Sequence, residues 1–97
     1  MSVITLFELH VKAESVAVAR EIMGHALKET RAFDGSLGVD VLVADDDAGH
    51  WVIYERWETA AHDEAYQAFR DGDGAVAGFG ELLASPPGKT RYTIADF

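Results

Sequence analysis

The segment Leu37-Gly38-Val39-Asp40-Val41-Leu42-Val43-Ala44, then Asp45-Asp46-Asp47-Ala48-Gly49, then Trp51-Val52-Ile53-Tyr54-Glu55-Arg56-Trp57, decides the fold. Two runs rich in β-branched and aromatic residues flank a cluster of turn formers. That arrangement predicts two antiparallel strands joined as a hairpin.

Upstream, Val3 to Val11 alternates as a first strand, with Phe7, Leu9 and Val11 on one side and Leu6, Glu8 and His10 on the other. From Lys12 to Phe33 the period changes. Val16, Ala19, Met23, Ala26, Leu27 and Thr30 recur at three- and four-residue steps, so one stripe of an amphipathic helix is apolar, and Asp34-Gly35 stops it. Downstream, Thr59 is a candidate N-cap for a second helix carrying His62, Ala65, Tyr66 and Phe69 inward, broken at Asp71-Gly72-Asp73-Gly74. A short third helix is expected across Val76, Phe79 and Leu83, ended by Ser85-Pro86-Pro87-Gly88, before a last strand from Lys89 to Ala95. The order β-α-β-β-α-α-β is an α+β, ferredoxin-like split βαβ pattern with a four-stranded antiparallel sheet, read as one domain over residues 1–97.

Helices cover only one face of such a sheet. If that face carries Phe7, Leu9, Trp51, Ile53 and Trp57, the other carries Ile4, Leu6, Leu42, Val52 and Tyr54, which is too apolar for a solvated surface. A chain of 97 residues is also small for a stable lone core. Both points predict a homodimer in which two sheets pack face to face.

Eight Lys and Arg against 17 Asp and Glu leave a formal charge of −9, which argues against partners that are nucleic acid or anionic membrane. With no Cys, thiolate chemistry and disulfides are excluded. No basic leader or apolar run of membrane-spanning length is visible, and the expectation is a soluble cytoplasmic protein. No metal site is expected, because no His pair has H-x-x-x-H spacing and the triple Asp lacks the other ligands of a calcium loop. No glycine-rich phosphate loop or nucleophile-elbow serine is present either.

Among candidate site residues Glu55 stands out, a carboxylate between Ile53 and Trp57 on an apolar face. Losing hydration there raises its pKa and makes it a proton acceptor near neutral pH, unless it pairs with Arg91, Arg56 or His10. Trp57, His62 and Tyr66 are expected to line one end of a cavity between sheet and helices, with His62 a second candidate base. Phe7 and Phe79 join Trp57 and Tyr66 as candidate substrate-binding residues; the competing reading of this aromatic stripe is plain core packing.

Phe33-Asp34-Gly35-Ser36-Leu37-Gly38, the strand Val52-Ile53-Tyr54-Glu55-Arg56-Trp57-Glu58 and the closing Pro86-Pro87 resemble the antibiotic biosynthesis monooxygenase domain. The resemblance implies a dimeric α+β barrel with a cavity in each subunit. Several members oxidise polycyclic phenols with oxygen and no flavin, metal or haem cofactor; others degrade haem or isomerise a phosphorylated signal. The strand-three Trp of the anthrone-oxidising members matches Trp57. Their Asn is replaced here by Ile53, their Tyr by Asp63, and their helix Arg has no counterpart within Ala75-Val76-Ala77-Gly78. The Asn of the haem degraders corresponds to Phe7, which disfavours haem. The function expected is a cofactor-independent monooxygenase acting on a small aromatic, quinol-type molecule. The alternatives are an isomerase of a small phosphorylated signal, with Lys89, Arg91 or Arg31 as anion partners, and a non-catalytic ligand-binding dimer.

Overall fold

Strands β1 (Val3–His10) and β3 (Asp47–Trp57) pair antiparallel at the centre of the sheet, with β2 (Ser36–Ala44) beyond β3 and β4 (Gly88–Thr93) beyond β1. The strand order β2-β3-β1-β4 is that of the expected split βαβ arrangement, in a computed structural model that describes residues 1–97. Helices α1 (Val16–Ala32) and α2 (Ala60–Asp71) form the second layer. Neither is long and apolar enough to cross a membrane.

The register explains the two faces. Val3, Thr5, Phe7 and Leu9 stand beside Trp57, Glu55, Ile53 and Trp51 on the helix side. Leu9, Trp51, Ile53 and Val39 close into one apolar cluster with Ala19 and Leu27 of α1, so the predicted stripe is the core stripe. Trp57, Val3 and Tyr66 form a second cluster against Phe33 and Phe69. On the opposite face Leu6 pairs with Tyr54, Ile4 with Tyr92 and Val52 with Leu42, with Tyr92 and Leu42 exposed.

Four sequence expectations are corrected. The hairpin turn is only Asp45-Asp46, and β3 begins at Asp47. Gly49 enters that strand because its backbone meets Val11, whose N–H it accepts at 2.7 Å; a Cβ there would strike the Val11 carbonyl. The first helix starts with a 3-10 turn over Ala13–Ser15 rather than as an α-helix from Lys12.

The third helix is a single 3-10 turn, Gly80–Leu82. Glycines at both ends of Phe79, with Gly78 at φ +79°, remove helix propensity where it was needed. That segment instead runs along β1: Ala84 donates to the His10 carbonyl at 2.7 Å and Lys12 to that of Leu82 at 2.8 Å. Ser85-Pro86-Pro87 interrupts the pairing, since proline has no N–H to give, before β4 resumes it at Glu8–Gly88. In α2 the inward positions are Asp63 and Tyr66, while Ala65 is exposed.

Candidate functional site

Between the helix-side face of β1 and β3 and the two helices lies a cavity of about 510 Å³, within the range of small-molecule sites. Phe7, Leu9 and Ile53 form its floor, Met23 and Leu27 one wall, and Phe79 part of its cover. Glu55, Thr30, Tyr66 and Arg70 are among the few polar side chains that reach it.

Glu55 is placed there by strand alternation, two residues from Ile53 and two from Trp57. Its side chain is buried, and Oε1 accepts the indole N–H of Trp57 at 3.2 Å. Burial raises its pKa from 4.5 to about 7; the Trp57 hydrogen bond opposes the rise, Asp63 adds to it, and Lys89 and Arg70 oppose it. None of Arg91, Arg56 and His10 pairs with it; Arg91 is taken by Asp63 and Glu64. The chain therefore holds a carboxyl that shares its proton evenly near neutral pH inside an apolar hollow.

Arg70 enters the cavity on the same face of α2 as Tyr66, one turn on. All five of its N–H donors are occupied. Nε donates to the Tyr66 hydroxyl at 2.7 Å, Nη1 to Glu29 and the Gly74 carbonyl at 3.0 Å each, and Nη2 to the Ala26 carbonyl at 2.8 Å and Thr30 Oγ1 at 3.2 Å. The guanidinium thus ties α2 to α1 and has no donor left for a ligand anion. The Tyr66 oxygen also lies 2.7 Å from Thr30 Oγ1. When the Thr30 hydroxyl donates to the Ala26 carbonyl, 3.2 Å away, Tyr66 donates to Thr30; when it turns to Tyr66, the Tyr66 proton is released toward the cavity.

Of the candidate residues, Phe7, Phe79, Glu55 and Tyr66 line the cavity. Trp57 and His62 do not line it. Trp57 is wholly buried behind Glu55, where its ring packs 4.9 Å from Tyr66, so it holds the carboxyl rather than forming a wall. His62 is drawn to the start of α2, where Nδ1 lies 2.7 Å from the capping Thr59 hydroxyl and Nε2 faces Asp34 and Glu58 at 3.7 and 3.9 Å. Gly35, at φ +85°, turns the chain directly against that imidazole, leaving no room for a Cβ.

Sequence reasoning missed Arg70 and Asp63. The i, i+3, i+7 spacing of Asp63, Tyr66 and Arg70 was available, but charged residues are not scored as inward on an amphipathic helix. Asp63 is buried and accepts from Thr5 at 2.9 Å and from Arg91 at 3.4 Å, binding α2 to β1 and β4, while its Oδ1 has no partner. No imidazole lines the cavity. Three metal-type donors converge instead on the other face of the sheet, at Glu8, His10 and His50. Spacing along the chain does not report that grouping, because the two imidazoles come from different strands.

The family model for "Antibiotic biosynthesis monooxygenase" matches residues 2–80. No curated protein sequence matches the chain. Among solved structures it is similar to Rv0793 from Mycobacterium tuberculosis, at 22% identity and TM-score 0.83, covering 100% of this chain and 98% of that one. It is also similar to a Deinococcus radiodurans protein named as a candidate antibiotic biosynthesis monooxygenase, at 25% identity and TM-score 0.84, covering 98% and 94%. A single-site mutant of SnoaB, a cofactor-independent oxygenase from Streptomyces nogalater, superposes at TM-score 0.83 with 11% identity, covering 99% and 95%. With a model match across most of its length and these neighbours sharing its fold, the chain belongs to the antibiotic biosynthesis monooxygenase family.

Proposed function

We propose that this chain is a cofactor-independent monooxygenase that oxidises a small, uncharged aromatic molecule of the quinol type with O₂. The observation that carries the reading is the buried Glu55 carboxyl, its pKa raised to about 7, facing a cavity lined mostly by apolar side chains. A carboxylate of that basicity accepts a quinol proton better than a solvated one. Removing the proton leaves an electron-rich anion that can reduce oxygen directly, with one oxygen atom entering the product and the other leaving as water. Tyr66, with its proton released when Thr30 turns, donates to the developing oxyanion. Phe7, Ile53 and Phe79 supply the aromatic and aliphatic contacts.

The arrangement favours this substrate over a phosphorylated signal molecule. Arg70 is saturated by protein partners, and Arg91 and Lys89 are turned to Asp63 at 3.4 and 3.8 Å. A phosphate in this cavity would lack the charge-assisted donors it needs.

The reading includes a homodimer. Ile4, Leu6, Val52, Tyr54, Leu42 and Tyr92 share the helix-free face, bordered by Glu8, Asp40, Arg56 and Thr90, and offer apolar surface on which a second sheet can pack.

Oxygen uptake with a panel of quinols, run with and without chelator, tests the proposal. Turnover above the uncatalysed rate, indifferent to chelator and reduced about 100-fold or more in Glu55→Gln, is the expected result. Ligand binding without any uptake, or full turnover in Glu55→Gln, overturns it; the former leaves a ligand-binding module.

A further inference from the structure

On the helix-free face, the antiparallel register sets His10 directly opposite His50, and Glu8 lies two residues before His10 on the same side of β1. The two imidazoles stack with centroids 4.6 Å apart and planes 22° from parallel. The Glu8 carboxylate reaches both: His50 Nε2 is 3.0 Å from Oε2, and His10 Nε2 is 4.0 Å from Oε1. All three donor atoms lie within 4.8 Å of one another.

We propose that Glu8, His10 and His50 bind a divalent first-row transition cation of the zinc class. Two neutral imidazoles and one carboxylate are the donors such ions take, at about 2.0–2.2 Å each, leaving one coordination position for water. A tetrahedral ion with those bond lengths wants donors about 3.3 Å apart. The His50–Glu8 pair is already near that separation. His10 needs only a small rotation, which its side chain, 45% exposed, is free to make. The backbone does the rest: directly paired strand residues hold their Cβ atoms about 5 Å apart, so both imidazoles rise from a rigid platform.

The alternative role for these groups is a plain surface pair between an acid and two histidines, which contributes little. The two roles separate on metal specificity. A carboxylate flanked by imidazolium groups has no use for zinc, whereas a His₂Glu set selects it over magnesium and calcium, which prefer all-oxygen sites.

The cluster sits at the end of the sheet, where pairing of β4 with β1 stops at Glu8–Gly88, and it shares no residue with the cavity. Its test is thus independent of the cavity chemistry, although Glu8 lies beside Val52 on the face assigned to the dimer contact. The whole protein is titrated with ZnCl₂ by calorimetry, with MgCl₂ as a control, while imidazole ¹⁵N resonances are followed by NMR. Saturable zinc binding that shifts the His10 and His50 resonances, is unaffected in His25→Ala, and weakens at least tenfold in His10→Ala and in His50→Ala is expected; losing even an outer-shell partner weakens metal sites about 10- to 100-fold. Glu8→Gln, which keeps the side chain's size, should weaken it as well. No zinc binding, binding unchanged in both His variants, or equal response to magnesium overturns the site. Circular dichroism of each variant checks that the sheet is intact, and the NMR arm on the unmodified protein decides the question if a variant misfolds.

Discussion

Replacing Glu55 by Gln should make the protein more stable at alkaline pH and leave it unchanged at acid pH. The folded state raises this carboxyl from 4.5 to about 7, mainly by removing it from water. A raised folded pKa means that the native state binds the proton more tightly than the unfolded chain. Stability from this group is therefore present below about 4.5 and lost as pH climbs through about 7. Once both states are ionised, the penalty is about 3 kcal/mol, at about 1.4 kcal/mol per tenfold change in proton affinity. Glutamine keeps the shape and still offers an oxygen to the Trp57 indole, 3.2 Å away in the parent protein, but never ionises. Urea melts of both proteins at pH 4, 6 and 8, at one fixed protein concentration, measure the difference. It should be near zero at pH 4 and grow to about 3 kcal/mol by pH 8, or roughly 10–20 °C in melting temperature for a domain of this size. Any constant packing effect of the amide cancels when differences are compared across pH. A gap that stays flat from pH 4 to 8, or that favours glutamate at pH 8, would refute the claim that this carboxyl is raised.

If Glu55 is the base, quinol oxidation should rise about tenfold per pH unit below about 7 and level off above it, read from kcat against pH. Tyr66→Phe should lower stability by about 1–3 kcal/mol in thermal melts, because it orphans the Arg70 Nε and takes from the Thr30 hydroxyl one of its partners, both now met at 2.7 Å. Gly35→Ala should cost more than about 1 kcal/mol, since φ is +85° and the new methyl meets the His62 ring; adding His62→Ala should recover part of the loss, and strict additivity would speak against that contact. Leu6→Glu should convert a dimer to a monomer in light scattering, because it places a charge at the centre of the helix-free face.

Much of the fold was legible because its signals are periodic. Alternation along Val3 to His10 and Trp51 to Trp57 identified both sheet faces, and the Val16-to-Thr30 stripe identified the helical face that meets them. The third helix failed because apolar spacing at Val76, Phe79 and Leu83 was weighed above the glycines between them. Glu55 could be picked out since a carboxylate in an apolar alternation is locally anomalous. His62 misled, because its place on the α2 stripe competed with a local hydroxyl partner, Thr59, and the partner prevailed. Arg70 was invisible for a related reason. Its burial is made tolerable by Glu29, Ala26 and Thr30, about forty positions away along the chain, and pattern reading within a short window cannot see them.

Strand β4 shows no buried residue, and apart from backbone pairing to β1 it is tied to the molecule through Lys89 and Arg91, which reach the buried Asp63 and the α2 residues Gln67 and Glu64. Pro87, immediately before it, borders the cavity. The ribbon held without any buried side chain is therefore also the one that continues from a residue of the cavity lining. Among the four strands its amides should trade deuterium first, so that this side of the cavity loosens while the rest of the house still stands.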